Sequence, residues 1–428
     1  MPDSPSITFL LERHLRYYDD RARGLLEVLP DGAPPTLAQV RAWHPGFADT
    51  SDERLRSAPA EGRFTLDDAR LVYAREHGFA AWVDLAAHVE RLAAGEVTEP
   101  FVELLEAGRA GDWTSVTAVL TARPELIRAR ATNGNSLLSL ACGMVPCKDD
   151  VITGPMADLL GRDRLAPVRF LLAAGADANQ ANDRGWTPLH DAGYRGDEEL
   201  ASLLLDAGAR PHAEAHGSGG TPLAVALFWG HRAAADRLAE AGVVPPNLRV
   251  AAGLGRLDLI DECFDAAGQP TAAAGAGRGF YRPHSGFPAW RPPDNPQDVV
   301  DEALVWAAKS DRAAALDALV KRGARVDADP YRGTPLLWAA SRGCVDAVAW
   351  LLDHGADVNH RATFGGPGHG DGVTALHLAA QAGELPVIDL LLARGADRTI
   401  RDRLYEGMPF NWAQHSGLDI PALNPQVA

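Results

Sequence analysis

Apolar residues recur at helical spacing along most of this chain, separated by short polar turns that carry glycine. From Phe64 to Leu92 the pattern predicts two helices. Thr65 caps the first, Asp68 stands favourably in its first turn, and His77-Gly78 ends it. In the second, Trp82, Leu85, Ala86, Val89 and Leu92 share one face and Gly95 closes it. Both apolar stripes need a partner surface. A degenerate helical pair follows from Phe101 to Arg130, with Leu104, Leu105, Val116, Val119 and Leu120 as its apolar face.

Beyond that pair one phrase returns: Trp186-Thr187-Pro188-Leu189-His190, Gly220-Thr221-Pro222-Leu223-Ala224, Gly333-Thr334-Pro335-Leu336-Leu337 and Val373-Thr374-Ala375-Leu376-His377. Each opening is followed by an aliphatic run that ends in glycine, as in Phe170 to Asp177, Leu203 to Ala209, Leu319 to Ala324, Trp350 to Asp357 and Leu390 to Asp397. Thr at a helix entry caps orphan backbone N–H groups, and Pro at the first helical position loses no needed donor. Small Ala pairs let two helices approach, and the closing glycine permits a left-handed turn into the next loop. From Thr187 to Thr221 is 34 positions, against roughly 33 in the ankyrin repeat.

On these motifs the chain resembles an ankyrin-repeat protein, with the likeness running from about residue 100 to 415. The resemblance implies an all-α fold: an ankyrin-repeat solenoid of stacked helix-turn-helix units with β-hairpin loops, preceded by a small helical N-terminal region. The expected domains are a helical region at 1–98, the array at 99–418 with insertions at 143–165 and 269–297, and a tail at 419–428. The stretch from Phe64 to Leu92 is similar to the helical preface found ahead of ankyrin arrays in some bacterial proteins. A helix-turn-helix DNA reader is the alternative there, opposed by Asp84, His88 and Glu90 standing against Arg91 on its recognition face. Within the array the unit at Leu248 to Gly268 is weak and lacks the Gly-Ala-Asp turn, and Met408 to Leu418 forms a shortened cap. No single unit buries enough surface to stand alone, so neighbours stabilise one another by stacking.

A formal charge of −16 disfavours nucleic acid as a partner, because that affinity comes largely from Lys and Arg on phosphates. The abundance of Arg, Ala, Gly and Pro beside three lysines, Lys148, Lys309 and Lys321, suggests a GC-rich bacterial source. The first residues lack a basic start followed by an uninterrupted apolar stretch, and no run of about 18 apolar residues occurs. The expectation is a cytoplasmic protein away from membranes. Cys142, Cys147, Cys263 and Cys344 are too scattered for a disulfide framework. Cys142 and Cys147 have no second Cys or His pair nearby to complete a zinc site.

His190 and His377 occupy the histidine of the Thr-Pro-Leu-His phrase, which the resemblance makes structural. The glycine clusters at 275–279 and 365–370 read as loops, since neither ends in Gly-Lys-Ser/Thr. The carboxylate pairs Asp261-Glu262 and Asp301-Glu302 read as solvated surface. No hydrolase, metalloprotease or kinase signature is present, so the chain is read as a non-enzyme without cofactor or metal.

The resemblance places ligand-contacting positions after the Ala-Ala pair of each first helix, on the concave face. These are Gly143 and Met144, Tyr194 and Arg195, Phe228 and Trp229, Gly253 and Leu254, Lys309 and Ser310, Ser341 and Arg342, and Gln381 and Ala382. Aromatic residues and Arg are enriched where binding energy concentrates, so Tyr194, Arg195, Phe228 and Trp229 are the expected anchors for a partner protein. Packing of these rings under the 269–297 insertion is the competing reading. If that insertion, with Tyr281, His284, Phe287 and Trp290, covers the groove, the ligand becomes a small molecule or substrate, with His284, His231 and Asp191 as acid-base candidates.

Overall fold

The computed structural model describes residues 8–32, 34–146, 163–280, 295–330, 333–362 and 370–425. Tyr281, His284, Phe287, Trp290, Cys147 and most of the 143–165 insertion lie outside them. Contacts divide the chain into two units, 1–217 and 218–428.

In the first unit both helices expected between Phe64 and Leu92 form, as α4 and α5 of a five-helix set: α1 (Leu15–Val28), α2 (Pro34–Trp43), α3 (Asp52–Ser57), α4 (Leu66–Glu76) and α5 (Trp82–Ala93). Thr65 and Asp68 cap α4 reciprocally. The Thr65 amide donates to Asp68 at 2.7 Å, and the Asp68 amide donates to Thr65 Oγ1 at 3.4 Å. Leu25, Leu29, Leu37, Val40, Leu55, Phe64 and Val72 close a core among these helices. The helical region is fastened to the first repeat, α6 (Pro100–Arg109) and α7 (Trp113–Ala122), and to the turn that opens the second. Phe9 stacks on Phe101 at 5.4 Å, Tyr73 donates to Asn133 Oδ1 at 2.6 Å, and His77 Nε2 meets Thr132 Oγ1 at 2.8 Å.

The unit continues through α8 (Leu137–Met144), α9 (Ala166–Ala173), α10 (Pro188–Arg195) and α11 (Glu198–Asp206). The turn after α9 shows how one repeat grips the next. The Asp177 carboxylate accepts from the Asn179 amide at 2.8 Å, while the Asn179 side chain donates to Gly208 O at 2.9 Å and accepts from the Arg210 amide at 2.7 Å.

The second unit holds paired helices: α12 (Pro222–Phe228) with α13 (Arg232–Ala241), α14 (Leu248–Leu254) with α15 (Leu257–Glu262), and α16 (Pro296–Lys309) with α17 (Ala313–Val320). α18 (Pro335–Ser341) with α19 (Val345–Asp353), and α20 (Ala375–Ala382) with α21 (Leu385–Ala393), follow, and α22 (Pro409–His415) caps the end. Thr221 Oγ1 accepts from the Ala224 amide at 3.2 Å and Thr334 Oγ1 from the Leu337 amide at 3.3 Å, as the repeated phrase requires. At the two His-bearing phrases the imidazole takes over: the Thr187 and Thr374 amides each donate to Nδ1 of His190 or His377 at 3.1 Å. His377 Nε2 then reaches Gly407 O at 3.1 Å, joining its repeat to the cap.

The loops differ from expectation. Among the described residues they form no strand, only hydrogen-bonded turns with isolated bridges such as Phe264 to Pro270 and Ala362 to Val373. The Asp301-Glu302 pair differs too: Asp301 is 0% and Glu302 2% exposed. Asp301 accepts from the Arg325 amide at 2.7 Å and its guanidinium at 2.6 Å, and Glu302 pairs with Arg278 at 2.7 Å. Adjacent residues do face different ways on a helix, but both faces of α16 are covered here. The start of the insertion is held down at Ala274 by Leu248 N, which donates to its carbonyl at 3.0 Å, and at Ala276 and Gly277 by Arg249.

Candidate functional site

In the first unit the expected anchors separate by accessibility. Tyr194, near the end of α10, is 49% exposed. Trp186 supports it edge-on at 6.2 Å and also meets His216 at 5.5 Å. Arg195 is turned back onto α8, donating to Gly143 O at 3.0 Å and to Val145 O. Asp191 accepts from Trp186 Nε1 at 2.8 Å and from Ser139 Oγ at 2.9 Å, tying two repeats together. Burial raises its carboxyl to about 7, against the opposing effect of those two donors.

The second unit gathers several predicted residues around one buried ammonium. Lys309, on the last turn of α16, is 1% exposed. Its Nζ lies 4.4 Å from the Phe228 ring centroid, 4.6 Å from that of Trp306 and 4.7 Å from that of Trp338. The rings brace each other: Phe228 is 6.3 Å from Trp306 and 6.0 Å from Trp338, and Trp229 stands edge-on to Phe228 at 5.2 Å. Two guanidinium groups flank this box, Arg249 over Trp306 at 5.4 Å and Arg342 over Trp229 at 5.7 Å. Arg249 also donates to Ala276 O at 3.0 Å and to Gly277 O. Ser341 donates to Trp338 O within its own helix at 2.9 Å.

The meeting of Phe228 with Lys309 joins repeats that are not neighbours. Helix layers about 9 Å apart would separate positions two repeats apart by about 18 Å in a regular stack. Here Gly230, just beyond α12 with φ 74°, packs so closely on the Lys309 carbonyl that a Cβ would stand 2.6 Å from its oxygen. The weak repeat between them places α14 there, with its Gly253 and Leu254 buried. Over it the ends of α12, α16 and α18 converge.

Burial depresses the Lys309 amine well below the usual lysine range, Arg342 and Arg249 push the same way, and Glu302 opposes them. A buried ion loses several kcal/mol of hydration, whereas each ring face returns about 0.5–2 kcal/mol. The rings therefore offset only part of the cost of burying the charge. Among the described residues it has no hydrogen-bond acceptor and no ion-pair partner, and no group of His, Cys, Asp and Glu there could hold a metal.

Sequence reasoning singled out Phe228, Trp229, Lys309 and Arg342 and missed Trp306, Trp338, Arg249 and Glu302. A signal existed: Trp306-Ala307-Ala308 and Trp338-Ala339-Ala340 set a Trp before the Ala pair in successive repeats. Phe228 and Lys309 are enclosed, whereas Trp229, Ser341 and Arg342 are half-buried. Of the acid-base candidates, His231 stands at the start of α13, Asp191 is engaged in the first unit, and His284 lies outside the described residues.

A sequence profile for ankyrin repeats matches residues 161–247 and 292–362, and a second ankyrin profile matches 336–392. The chain carries ankyrin repeats. The chain is 27% identical over 259 residues to the ankyrin repeat and KH domain-containing protein mask-1 of Caenorhabditis elegans, covering 60% of this chain and 9% of that protein. It is 47% identical over 60 residues to the mouse 2-5A-dependent ribonuclease, 14% of this chain and 8% of that one. Human ankyrin repeat and SOCS box protein 6 is 29% identical over 133 residues, 30% and 29% of the two chains. The matches thus span less than a third of each of these relatives. The human ASB11 ankyrin repeat domain is similar at 21% identity over 69% of this chain and 98% of that one, with a TM-score of 0.31. These relatives are animal proteins.

Proposed function

We propose that this protein is a non-enzymatic scaffold whose ankyrin array holds a partner protein. The observation that carries the reading is Tyr194: an exposed aromatic at a position where ankyrin arrays meet ligands, braced by Trp186 and presented on a rigid helix. Pre-braced aromatic side chains make strong anchors because little freedom is lost on binding. Arg195 supports the same surface indirectly by fixing the end of α8. The buried free thiols Cys142, Cys263 and Cys344 suit a reducing compartment such as a cytoplasm. Among the described residues no helix is long and apolar enough to cross a membrane.

The test is affinity capture from native extract with wild type and Tyr194→Ala, followed by titration of each purified capture partner. Loss of one aromatic anchor, about 2 kcal/mol, should weaken binding roughly 30-fold. Equal affinity of the two proteins for every partner recovered would remove this surface from the function. A small-molecule role is favoured by a separate observation, the bracing of Ala274 to Arg278 against the box around Lys309.

A further inference from the structure

We infer that Lys309, flanked by Arg249 and Arg342 and walled by Phe228, Trp306 and Trp338, is a binding site for the oxyanion group, phosphate or carboxylate, of a small molecule. This goes beyond the scaffold reading and stands without it.

The argument starts from donors without acceptors. An ammonium carries three N–H donors and accepts nothing. Lys309 is 1% exposed, and among the described residues it faces three ring centroids at 4.4, 4.6 and 4.7 Å. Ring faces attract its charge but take no conventional hydrogen bond, so those donors call for oxygen. The hydroxyl of the next residue, Ser310, is also buried and has no hydrogen-bond partner among the described residues. The charges acting on Lys309 point the same way. Arg342 and Arg249 oppose its protonation, and Glu302, which favours it, already holds Arg278 at 2.7 Å. An arriving oxyanion supplies what the amine lacks, an acceptor and a compensating charge, in a setting where a charge-assisted bond is strong.

The enclosure selects the size of the ligand. Phe228, Trp306, Trp338, Arg249 and Lys309 are each at most 5% exposed, so a folded surface cannot reach the amine and only a small group entering between the side chains would. The interlocked rings also fix the lysine in place, so the site is organised before the ligand arrives.

The experiment uses the full chain at constant ionic strength, with chloride as the balancing anion. Inorganic phosphate, phenyl phosphate, acetate and benzoate are titrated by calorimetry and by thermal melting. The expected result is saturable binding of at least one probe with a raised melting temperature. Lys309→Met and Arg342→Gln should each weaken it at least tenfold, while Lys321→Met, at an exposed lysine, leaves it unchanged. Phosphate against acetate, and phenyl phosphate against benzoate, separate phosphoryl from carboxylate recognition. If none of the four probes binds wild type, or if the Lys309 and Arg342 variants bind as wild type does, the inference is overturned. Should Lys309→Met fail to fold, Arg342→Gln alone decides, since that half-buried residue can be changed without opening the aromatic box.

Discussion

Glu76 and His77 are neighbours whose burial drives them in opposite directions. Glu76 is 3% exposed, accepts from Gln39 at 2.8 Å and Thr8 at 3.3 Å, and is raised to about 7 by burial and by Asp183. A carboxyl raised in the folded state contributes stability that is fully present below its unfolded value near 4.5 and is lost as pH rises to about 7. His77 is lowered to about 4 by burial, so its contribution is lost as pH falls from 6.5 towards 4. Glu76→Gln keeps an acceptor and removes only the first of these effects. Its advantage over wild type should be small at pH 4.5 and grow to about 3 kcal/mol by pH 8. Urea titrations across that range check this, and a pH-independent difference would refute it. At Gly230 the argument is steric. Its φ of 74° and its approach to the Lys309 carbonyl leave no room for a Cβ, so Gly230→Ala should lower stability by more than about 1 kcal/mol. A denaturation midpoint equal to wild type would show that α12 and α16 do not pack as described.

At the scale of elements, one device joins successive repeats. Asn359 repeats what Asn179 does: its side chain donates to Gly395 O at 3.2 Å and accepts from the Asp397 amide at 2.8 Å. One repeat earlier Asp327 stands in that place and accepts from the Asp357 amide at 3.2 Å, without an amide donor of its own to offer. Asn359→Ala should therefore cost about 0.5–1.5 kcal/mol and speed hydrogen exchange at the Asp397 amide specifically. Uniform acceleration along the array would instead mark a general loss of stability. The α4 cap, the Thr-Pro entries and the closing glycines were legible in the sequence because each depends on chemistry within a few residues. Helices α1 to α3 fell in a region expected to be helical, yet their bounds were not foreseen. α1 has no side-chain cap, and all three are placed by the core they share with α4.

Over the whole molecule the charge is far from neutral, at −16. Self-repulsion of that size destabilises the compact state and is screened by salt. Raising sodium chloride from about 0.05 to 0.5 M, where the Debye length falls below about 5 Å, should raise the melting temperature by several degrees. A fall would mean that ion pairs such as Arg164 with Asp197, 2.5 Å apart and nearly buried, outweigh the repulsion. The local reversal of sign around Lys309 stands out against this acidic background and is the reason an oxyanion, rather than a cation, fits there.

The sequence by itself determined the repeat, its period and its caps, because those follow from hydrogen bonds and helix periods within one unit; the structural role of His190 and His377 was implied by the resemblance, and His377 fills it by reaching the next unit at Gly407. It also marked Phe228, Trp229, Lys309 and Arg342 as positions of interest. Only the tertiary structure decided that Phe228 and Lys309 face each other across a skipped repeat, that Arg195 turns back onto α8, and that Asp301 and Glu302 are buried. Those outcomes depend on how far a short, irregular repeat lets its neighbours close over it, and that distance is set by packing between segments far apart in the chain rather than by any local pattern.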